Sequence, residues 1–366
     1  MTMTMTYTPA EVFAPGEYLR DELDERGWTV TEFAEIIGRP VQAVSEILNG
    51  KKEITTETAL ALSEALGTSP VLWLNLQTNY RLFEQRTRAR SSAALTPVAR
   101  RARLRSLLPF AEVRGRGWLP NTDNLDVVEE AVRRFLDLDS LDERPRFALA
   151  ARRANTTEPI TLEQTAWLAH VRTVAATRTV STFDRTRLAA LSLELPRALR
   201  AGPSKLTELQ PRLADCGVIL VVAEGLRGGK LDGAVTYLGD GRPVIGLTTR
   251  GDRFDGLLFS LLHECAHLVL GHISPEAPTI VDDDLMETQS DPNEIAANDQ
   301  ASAWLFPGGF GITSTTLPAI VATAERYQVH PSVVLGRVQR DRQNWKLHRP
   351  HVPKVRALLA EQGVLA

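Results

Sequence analysis

Between residues 256 and 270 the sequence is almost entirely apolar, and its strongly polar members are Ser260, His263, Glu264 and His267. Their spacing of i, i+3, i+4 and i+7 places them in one stripe along a predicted helix. Because the other faces of this helix are apolar, the helix should be buried. Buried imidazoles and a buried carboxylate are costly unless something pairs with them, and a metal ion would do so.

The stripe contains the pattern H-E-x-x-H. Two histidines one helical turn apart can turn their ring nitrogens towards one zinc ion (Zn2+), and the glutamate beside the first histidine can act as a general base. Such five-residue strings arise by chance in about 1% of chains of this length, mostly on solvated helix faces. The apolar flanks disfavour a solvated face, so the pattern predicts His263 and His267 as zinc ligands and Glu264 as the catalytic base.

A third ligand has to come from beyond this helix. The extended pattern H-E-x-x-H-x-x-G-x-x-H is excluded, because Leu270 and Ile273 stand where it requires glycine and histidine. His272 is a minor candidate. Glu294, near the start of a later predicted helix, is the other candidate, but it also fits a capping box in which Asp291 is the N-cap residue. Spacing alone leaves these two roles of Glu294 open.

The N-terminal part of the chain is rich in helix start and stop signals, such as the capping-box pair Thr29 and Glu32 and the terminating Gly27 and Gly67. A disordered lead-in is expected up to about residue 14. The predicted helices then span residues 16–26, 30–37, 41–48 and 56–66, and a fifth short helix begins at 69–70. Two helices joined by a short glycine turn form a helix-turn-helix, whose second helix enters the major groove of DNA.

The rest of the chain changes from helical to strand-like patterns. Helices are predicted at residues 125–138, 161–177 and 183–199. Short strands are predicted at residues 217–222, 234–238 and 243–248, and an acidic loop at 275–289. The expected fold is therefore multidomain α+β, with an all-α domain at 1–85, an arginine-rich linker and helical region at 86–204, and a domain at 205–366. In that last domain a small sheet packs on the histidine helix and offers its edge to an extended substrate.

Composition and charge add three expectations. Two cysteines form no disulfide framework, and the sequence contains no signal peptide or membrane segment, which together predict a cytoplasmic protein. Residues 1–78 carry twelve acidic and five basic side chains, a poor balance for DNA affinity. Residues 79–117 carry ten arginines and two glutamates, so this stretch is either a solvated linker or a track for the DNA backbone.

Three strings in the N-terminal region, PGEYL at 15–19, SEILNGK at 45–51 and LGTSPVLWLNLQ at 66–77, resemble the HigA branch of the Xre (Cro/cI-type) helix-turn-helix family. The resemblance covers about residues 10–85 and implies operator binding as a homodimer. It makes Gln42 and Ser45 candidates for base contacts, and Arg39, Lys51 and Lys52 candidates for phosphate contacts. The alternative is a helical domain that binds only protein, which the acidic balance favours.

A second resemblance covers about residues 205–345. The strings FSLLHECAH at 259–267, EIAANDQA at 294–301 and WLFP at 304–307 resemble the ImmA/IrrE metallo-endopeptidase family, and the later VHPSVVLGR at 329–337 resembles its fused relatives. The resemblance implies a zincin-like domain with His263, His267 and Glu294 as zinc ligands and Glu264 as general base. Gln300 departs from the phenylalanine that is common there.

The combined expectation is a DNA-binding transcriptional regulator with a zinc-dependent endopeptidase domain, which cleaves a repressor protein, either itself or a partner. Tyr327 and His330 are weak candidates for stabilising the oxyanion. The alternative is an antitoxin-like or autoregulatory repressor whose peptidase-like domain is a non-catalytic sensor. A purely structural scaffold would leave the polar stripe on the buried helix unexplained.

Overall fold

A computed structural model describes residues 12–90, 96–150, 152–153, 160–275, 279–282 and 291–366. The chain divides into two compact units, Met1–Val98 and Ala99–Ala366. Most of the expected disordered lead-in lies outside the described residues, and the first helix begins at Pro15.

Five helices form the first unit, as the sequence predicts: α1 (Pro15–Arg26), α2 (Val30–Ile36), α3 (Val41–Leu48), α4 (Thr56–Leu66) and α5 (Pro70–Arg90). Thr29 and Glu32 form the predicted capping box, because each side chain accepts the other's backbone N–H. The fifth helix is not short: it runs for 21 residues, since no glycine or proline interrupts the chain after Pro70. The buried Leu19, Phe33 and Trp73 belong to the unit's apolar core.

The remaining helices are α6 (Pro97–Leu107), α7 (Phe110–Gly115), α8 (Leu125–Phe135), α9 (Arg146–Ala150), α10 (Leu162–Ala176), α11 (Arg185–Ala198), α12 (Leu209–Asp215), α13 (Phe254–Leu270), α14 (Pro292–Leu305), α15 (Leu317–Tyr327), α16 (Pro331–Asp341) and α17 (Arg356–Glu361). The strands are β1 (Arg152–Arg153), β2 (Ile219–Val222), β3 (Gly233–Tyr237), β4 (Pro243–Leu247) and β5 (Thr279–Asp282). The observed class is mixed α and β, in agreement with the α+β prediction.

One mixed sheet organises the second unit, in the order β1-β5-β3-β4-β2. Strand β3 runs antiparallel to both β4 and β5, whereas β2 is parallel to β4 and β1 to β5. The predicted strands correspond to β2, β3 and β4. Strand β5 lies where the sequence predicts an acidic loop, because Thr279, Ile280 and Val281 are β-branched and pair with β3. Glu276, Asp283 and Asp284 of that loop lie outside the described residues.

Helices cover both faces of the sheet. Along β2, Leu220 and Val222 join the core formed with α11 to α16, while Ile219 and Val221 join a second core with α6 to α8 and α10. Alternate residues of a strand point to opposite faces, so β2, β3 and β4 each contribute side chains to both cores. Residues 99–204, expected to form a region apart from 205–366, therefore belong to the same compact unit as the sheet.

The arginines expected to line a linker or a DNA track are partly used within the second unit. Arg100 pairs with Asp126 and Glu129 of α8, and Arg116 donates to the Glu224 carbonyl oxygen. The side chains of Arg86, Arg88 and Arg90 lie outside the described part of the structure. Among the helices that the structure describes, none is long and apolar enough to cross a bilayer.

Candidate functional site

Helix α13 presents the polar stripe that the sequence predicts. It packs against β3 and β4 of the sheet and against α11, α14 and α16, so nearly all of it is buried. His263, Glu264 and His267 are each 0% exposed. The helix ends at Gly271, whose φ of 76° is the left-handed conformation that favours glycine at a helix C-terminus. The stripe is therefore buried, as the pattern predicts.

Helix α14 brings Glu294 to the two histidines. Its Oε2 lies 3.1 Å from His263 Nε2, and its Oε1 lies 3.4 Å from His267 Nε2. The two Nε2 atoms are 2.9 Å apart. One ligand atom from each of the three residues can be chosen so that all lie within 4.8 Å of one another. The structure thus brings together the three predicted metal ligands.

The alternative role of Glu294 as a capping residue is not observed. Asp291 is the N-cap of α14 and accepts from the Asn293 amide, while the Glu294 carboxylate contacts His263 and His267. Glu294 is 2% exposed, whereas a capping glutamate in the first helical turn is usually solvated.

Both histidines have a polar partner on the ring nitrogen that faces away from Glu294. Asn298 Oδ1 lies 3.1 Å from His263 Nδ1, so it can accept a hydrogen bond from an Nδ1–H group, and in that tautomer the Nε2 lone pair is available to a metal. His272 Nδ1 lies 2.9 Å from His267 Nδ1. His272, a minor candidate for the third ligand, is therefore a hydrogen-bond partner of a predicted ligand. The i, i+4 spacing of Glu294 and Asn298 was the available signal for the role of Asn298.

Gly233 at the start of β3 makes room for Glu264. A Cβ atom built at Gly233 would lie 2.2 Å from Glu264 Oε1, so any larger residue would displace the carboxylate. Sequence reasoning missed this residue, because a lone glycine at a strand end has many explanations. Strand β3 is paired along both sides, so it is not the open edge expected for substrate addition.

Burial and hydrogen bonding shift the pKa of Glu294 in opposite directions, and burial dominates at two neighbouring side chains. Burial would raise the pKa of Glu294, but hydrogen bonds from His263 and His267 outweigh it and lower that pKa. Burial lowers the pKa of His272, and the neighbouring His267 lowers it further. Burial also raises the pKa of the Cys265 thiol to about 12, which makes it an unreactive core residue.

The two oxyanion candidates have structural roles. The Tyr327 hydroxyl donates to the Gly309 carbonyl oxygen and accepts from the Gly311 amide. His330 is the N-cap of α16, where its Nδ1 accepts from the Ser332 amide at 3.1 Å. Neither arrangement adds support for a catalytic role.

The five predicted DNA-contact residues flank or belong to α3. Gln42, Lys51 and Lys52 are exposed, and Arg39 and Ser45 are half-buried. The Arg39 guanidinium lies 2.9 Å from Glu57, and Gln42 Nε2 donates to Glu46 Oε1 at 3.1 Å. Surface pairs of this kind contribute little free energy, so either side chain can exchange its partner for DNA. The contacts with DNA themselves remain predictions.

The helix-turn-helix family HTH_3 matches residues 19–73 of this chain. The chain is 39% identical to the uncharacterized HTH-type transcriptional regulator YddM of Escherichia coli (strain K12) over 70 residues, which are 19% of this chain and 74% of that protein. It is 34% identical to antitoxin HigA-1 of Vibrio cholerae over 90 residues, 24% of this chain and 85% of that protein. A solved structure of the Pseudomonas aeruginosa antitoxin HigA with the higBA promoter is 27% identical, with a TM-score of 0.22, and covers 24% of this chain and 98% of that one.

Proposed function

Because this chain belongs to the helix-turn-helix family, we propose that it is a DNA-binding transcriptional regulator whose second unit is a zinc-dependent endopeptidase. The observation that carries the peptidase half is the convergence of His263, His267 and Glu294 in a buried cluster beside Glu264. The protein substrate we propose is a repressor, either this chain or a partner.

The DNA-binding half rests on the family membership and on α3. This helix exposes Gln42 at its start, and the exposed Lys51 and Lys52 lie in the turn after its end, beyond Asn49 and Gly50. A recognition helix uses its N-terminal residues for base edges, while flanking cations contact phosphates. The similarity to a transcriptional regulator and to an antitoxin supports binding to a double-stranded operator, and we propose a homodimer as the binding species.

The donor set in the second unit fits zinc. Two imidazole nitrogens and one carboxylate are a common set of protein ligands for catalytic zinc. Ligand atoms bound at roughly 2.0–2.2 Å in a tetrahedral site lie about 3.3 Å apart. The two histidine Nε2 atoms are 2.9 Å apart, and the Glu294 carboxylate reaches both of them, with Oε2 at 3.1 Å from His263 and Oε1 at 3.4 Å from His267, so the three side chains are close enough to share one ion. The hydrogen bond to Asn298 favours the tautomer of His263 that leaves Nε2 available.

Zinc, when bound, supplies Lewis acidity that acidifies water and polarises a peptide carbonyl. In the proposed reaction Glu264 accepts the proton of the attacking water and then delivers it to the leaving nitrogen. The absence of a side chain at Gly233 leaves room for the Glu264 carboxylate against β3 of the sheet. Glu264 directly follows the proposed ligand His263 in the sequence. Burial of the whole cluster excludes bulk water from this proton transfer.

Two measurements test this proposal. Metal analysis by mass spectrometry of protein purified without chelator should give about one zinc per chain, and a His267→Ala variant should lose it. The zinc-loaded protein should then cleave itself or a repressor encoded beside it, whereas a Glu264→Gln variant should retain zinc and leave the substrate intact. Identical intact bands from both proteins would contradict the peptidase assignment.

The alternative is a repressor whose peptidase-like unit senses metal without turnover, and the similarity to antitoxin HigA-1 favours it. Operator footprinting of the Glu264→Gln variant, with and without a chelator, separates the candidates. A metal sensor without turnover should change its footprint when zinc is removed although no chain is cut. In a peptidase, loss of the footprint should require both zinc and Glu264.

A further inference from the structure

A cavity of about 320 Å³ lies next to the metal centre, within the second unit. Its walls come from the first half of α13, the end of α14 and helix α16. Ser260, the first member of the polar stripe, lines it, so the cavity begins one helical turn before His263. Its volume is at the lower end of the range of about 300–1,000 Å³ for small-molecule sites.

Arginines dominate the charged part of the lining. Arg250, Arg253, Arg337 and Arg340 face it, against only two carboxylates, Asp232 and Asp255. Three of these arginines are already compensated: Arg250 by Asp232 at 3.2 Å, Arg253 by Asp255 at 2.7 Å, and Arg337 by Asp341 at 2.9 Å. The lining therefore has a surplus of positive charge.

Arg340 carries that surplus. Among the residues that the structure describes, no carboxylate lies within ion-pair distance of its guanidinium, which instead sits 5.6 Å from the centre of the Phe259 ring. It is half-buried, and burial together with the nearby Arg337 lowers its pKa, although Asp341, which pairs with Arg337, acts in the opposite direction. A partly desolvated guanidinium beside a second one gains most from an oxyanion, which can accept two parallel hydrogen bonds from it.

The rest of the wall is apolar and aromatic. Phe259, Phe306 and Trp345 line the cavity, and the Arg253 guanidinium lies 5.5 Å from the Trp345 ring centre. Apolar walls with a few polar anchors are typical of sites for small organic ligands. A bare inorganic ion would leave these walls in contact with water.

We propose that this cavity binds a small organic oxyanion, with its charged group held by Arg340 and its apolar body against Phe259 and Trp345. Binding at this site requires neither zinc nor peptide cleavage, so the proposal is independent of the proposed peptidase activity. Its position one turn from His263 would let an occupant influence access to the metal centre.

Calorimetric titration of the full chain tests the proposal with 3-phenylpropionate as the probe. Its neutral amide, 3-phenylpropanamide, has nearly the same shape without the charge, and inorganic phosphate has charge without the apolar body. The carboxylate should bind one site at least about tenfold more tightly than either. Binding should persist in the His267→Ala variant, because the proposed site does not include zinc. A probe that bound to zinc instead would lose its binding in this variant.

Variants locate the site. Arg340→Gln should weaken 3-phenylpropionate at least about tenfold, and Arg340→Lys, which keeps the charge, should weaken it less. The matched control is Arg342→Gln, an exposed arginine that does not line the cavity, and it should bind as the wild type does. Equal affinity for carboxylate and amide in the wild-type protein, or unchanged affinity in Arg340→Gln, would overturn the proposal. The first comparison needs no variant, so it holds even if Arg340→Gln fails to fold.

Discussion

Replacing Asn298 by alanine is the sharpest test of the proposed metal centre, because Asn298 contacts a proposed ligand without being one. Its Oδ1 lies 3.1 Å from His263 Nδ1, on the side of the ring away from Glu294. Without this acceptor, His263 can take the tautomer that carries its proton on Nε2, the nitrogen that should bind zinc. All three proposed ligands remain in the variant.

The expected cost follows from this one hydrogen bond. Loss of the acceptor behind a metal-bound histidine typically weakens metal affinity about 10–100-fold, which is roughly 1.4–2.8 kcal/mol. Asn298→Asp restores an acceptor with a negative charge, so its affinity should equal or exceed that of the wild type. Asp299→Ala, at the exposed neighbouring position of the same helix, is the matched control and should stay within about twofold.

Competition for zinc between metal-free protein and a coloured chelator measures these affinities, and circular dichroism checks that each variant is folded. An Asn298→Ala affinity within about twofold of the wild type would refute the reasoning, as would an Asn298→Asp variant no tighter than Asn298→Ala.

Three further predictions use other features of the molecule. Gly233→Ala puts a Cβ 2.2 Å from Glu264 Oε1, so it should lower the free energy of unfolding by about 1–3 kcal/mol in urea denaturation, while Gly239→Ala, with open space around it, should change it by less than about 0.5 kcal/mol. Burial, with a smaller contribution from Arg116, lowers the pKa of His170 to about 4, where its ring stacks on Trp118 at 3.9 Å. The unfolded chain therefore binds a proton first, and stability that is complete above about pH 6.5 is lost as the pH falls towards about 4. Between about pH 7 and pH 5, the free energy of unfolding of His170→Phe should fall by about 1 kcal/mol less than that of the wild type, a difference that includes a reduction for solvent screening. Equal decreases in the two proteins would contradict this account. If Lys51 and Lys52 contact phosphates, replacing both by glutamine should lower the slope of log Kd for operator DNA against log salt concentration by about two. The control Lys354→Gln, in the second unit, should leave this slope unchanged.

Local chemistry made the first unit predictable. The capping pair Thr29 and Glu32 and the terminating Gly27 and Gly67 all act within one helical turn, and the observed helices begin or end at these residues. The length of α5 was not predicted, because the arginine-rich, polar composition of its second half is also typical of a linker.

The second unit was predictable element by element but not as an assembly. Periodicity located β2, β3 and β4 and the helices on either side, yet it could not reveal that α6 to α8 and α10 cover one face of the same sheet. Arg100 illustrates why: in the sequence it belongs to a basic run, and only the fold brings Asp126 and Glu129 within reach. Pairing between distant segments leaves no periodic signal in either one.

For the proposed metal centre, the sequence by itself determined the buried stripe, because two histidines and a glutamate at helical spacing with apolar flanks share one face of the helix. Only the tertiary structure shows that the Glu294 carboxylate lies against the two imidazoles. From the sequence, Glu294 could form a capping box with Asp291 in its own helix or contact two imidazoles of the distant α13. Which of the two it does depends on where α14 packs. The packing of α14 on α13 depends on apolar contacts spread over many residues, so no local pattern could choose between them.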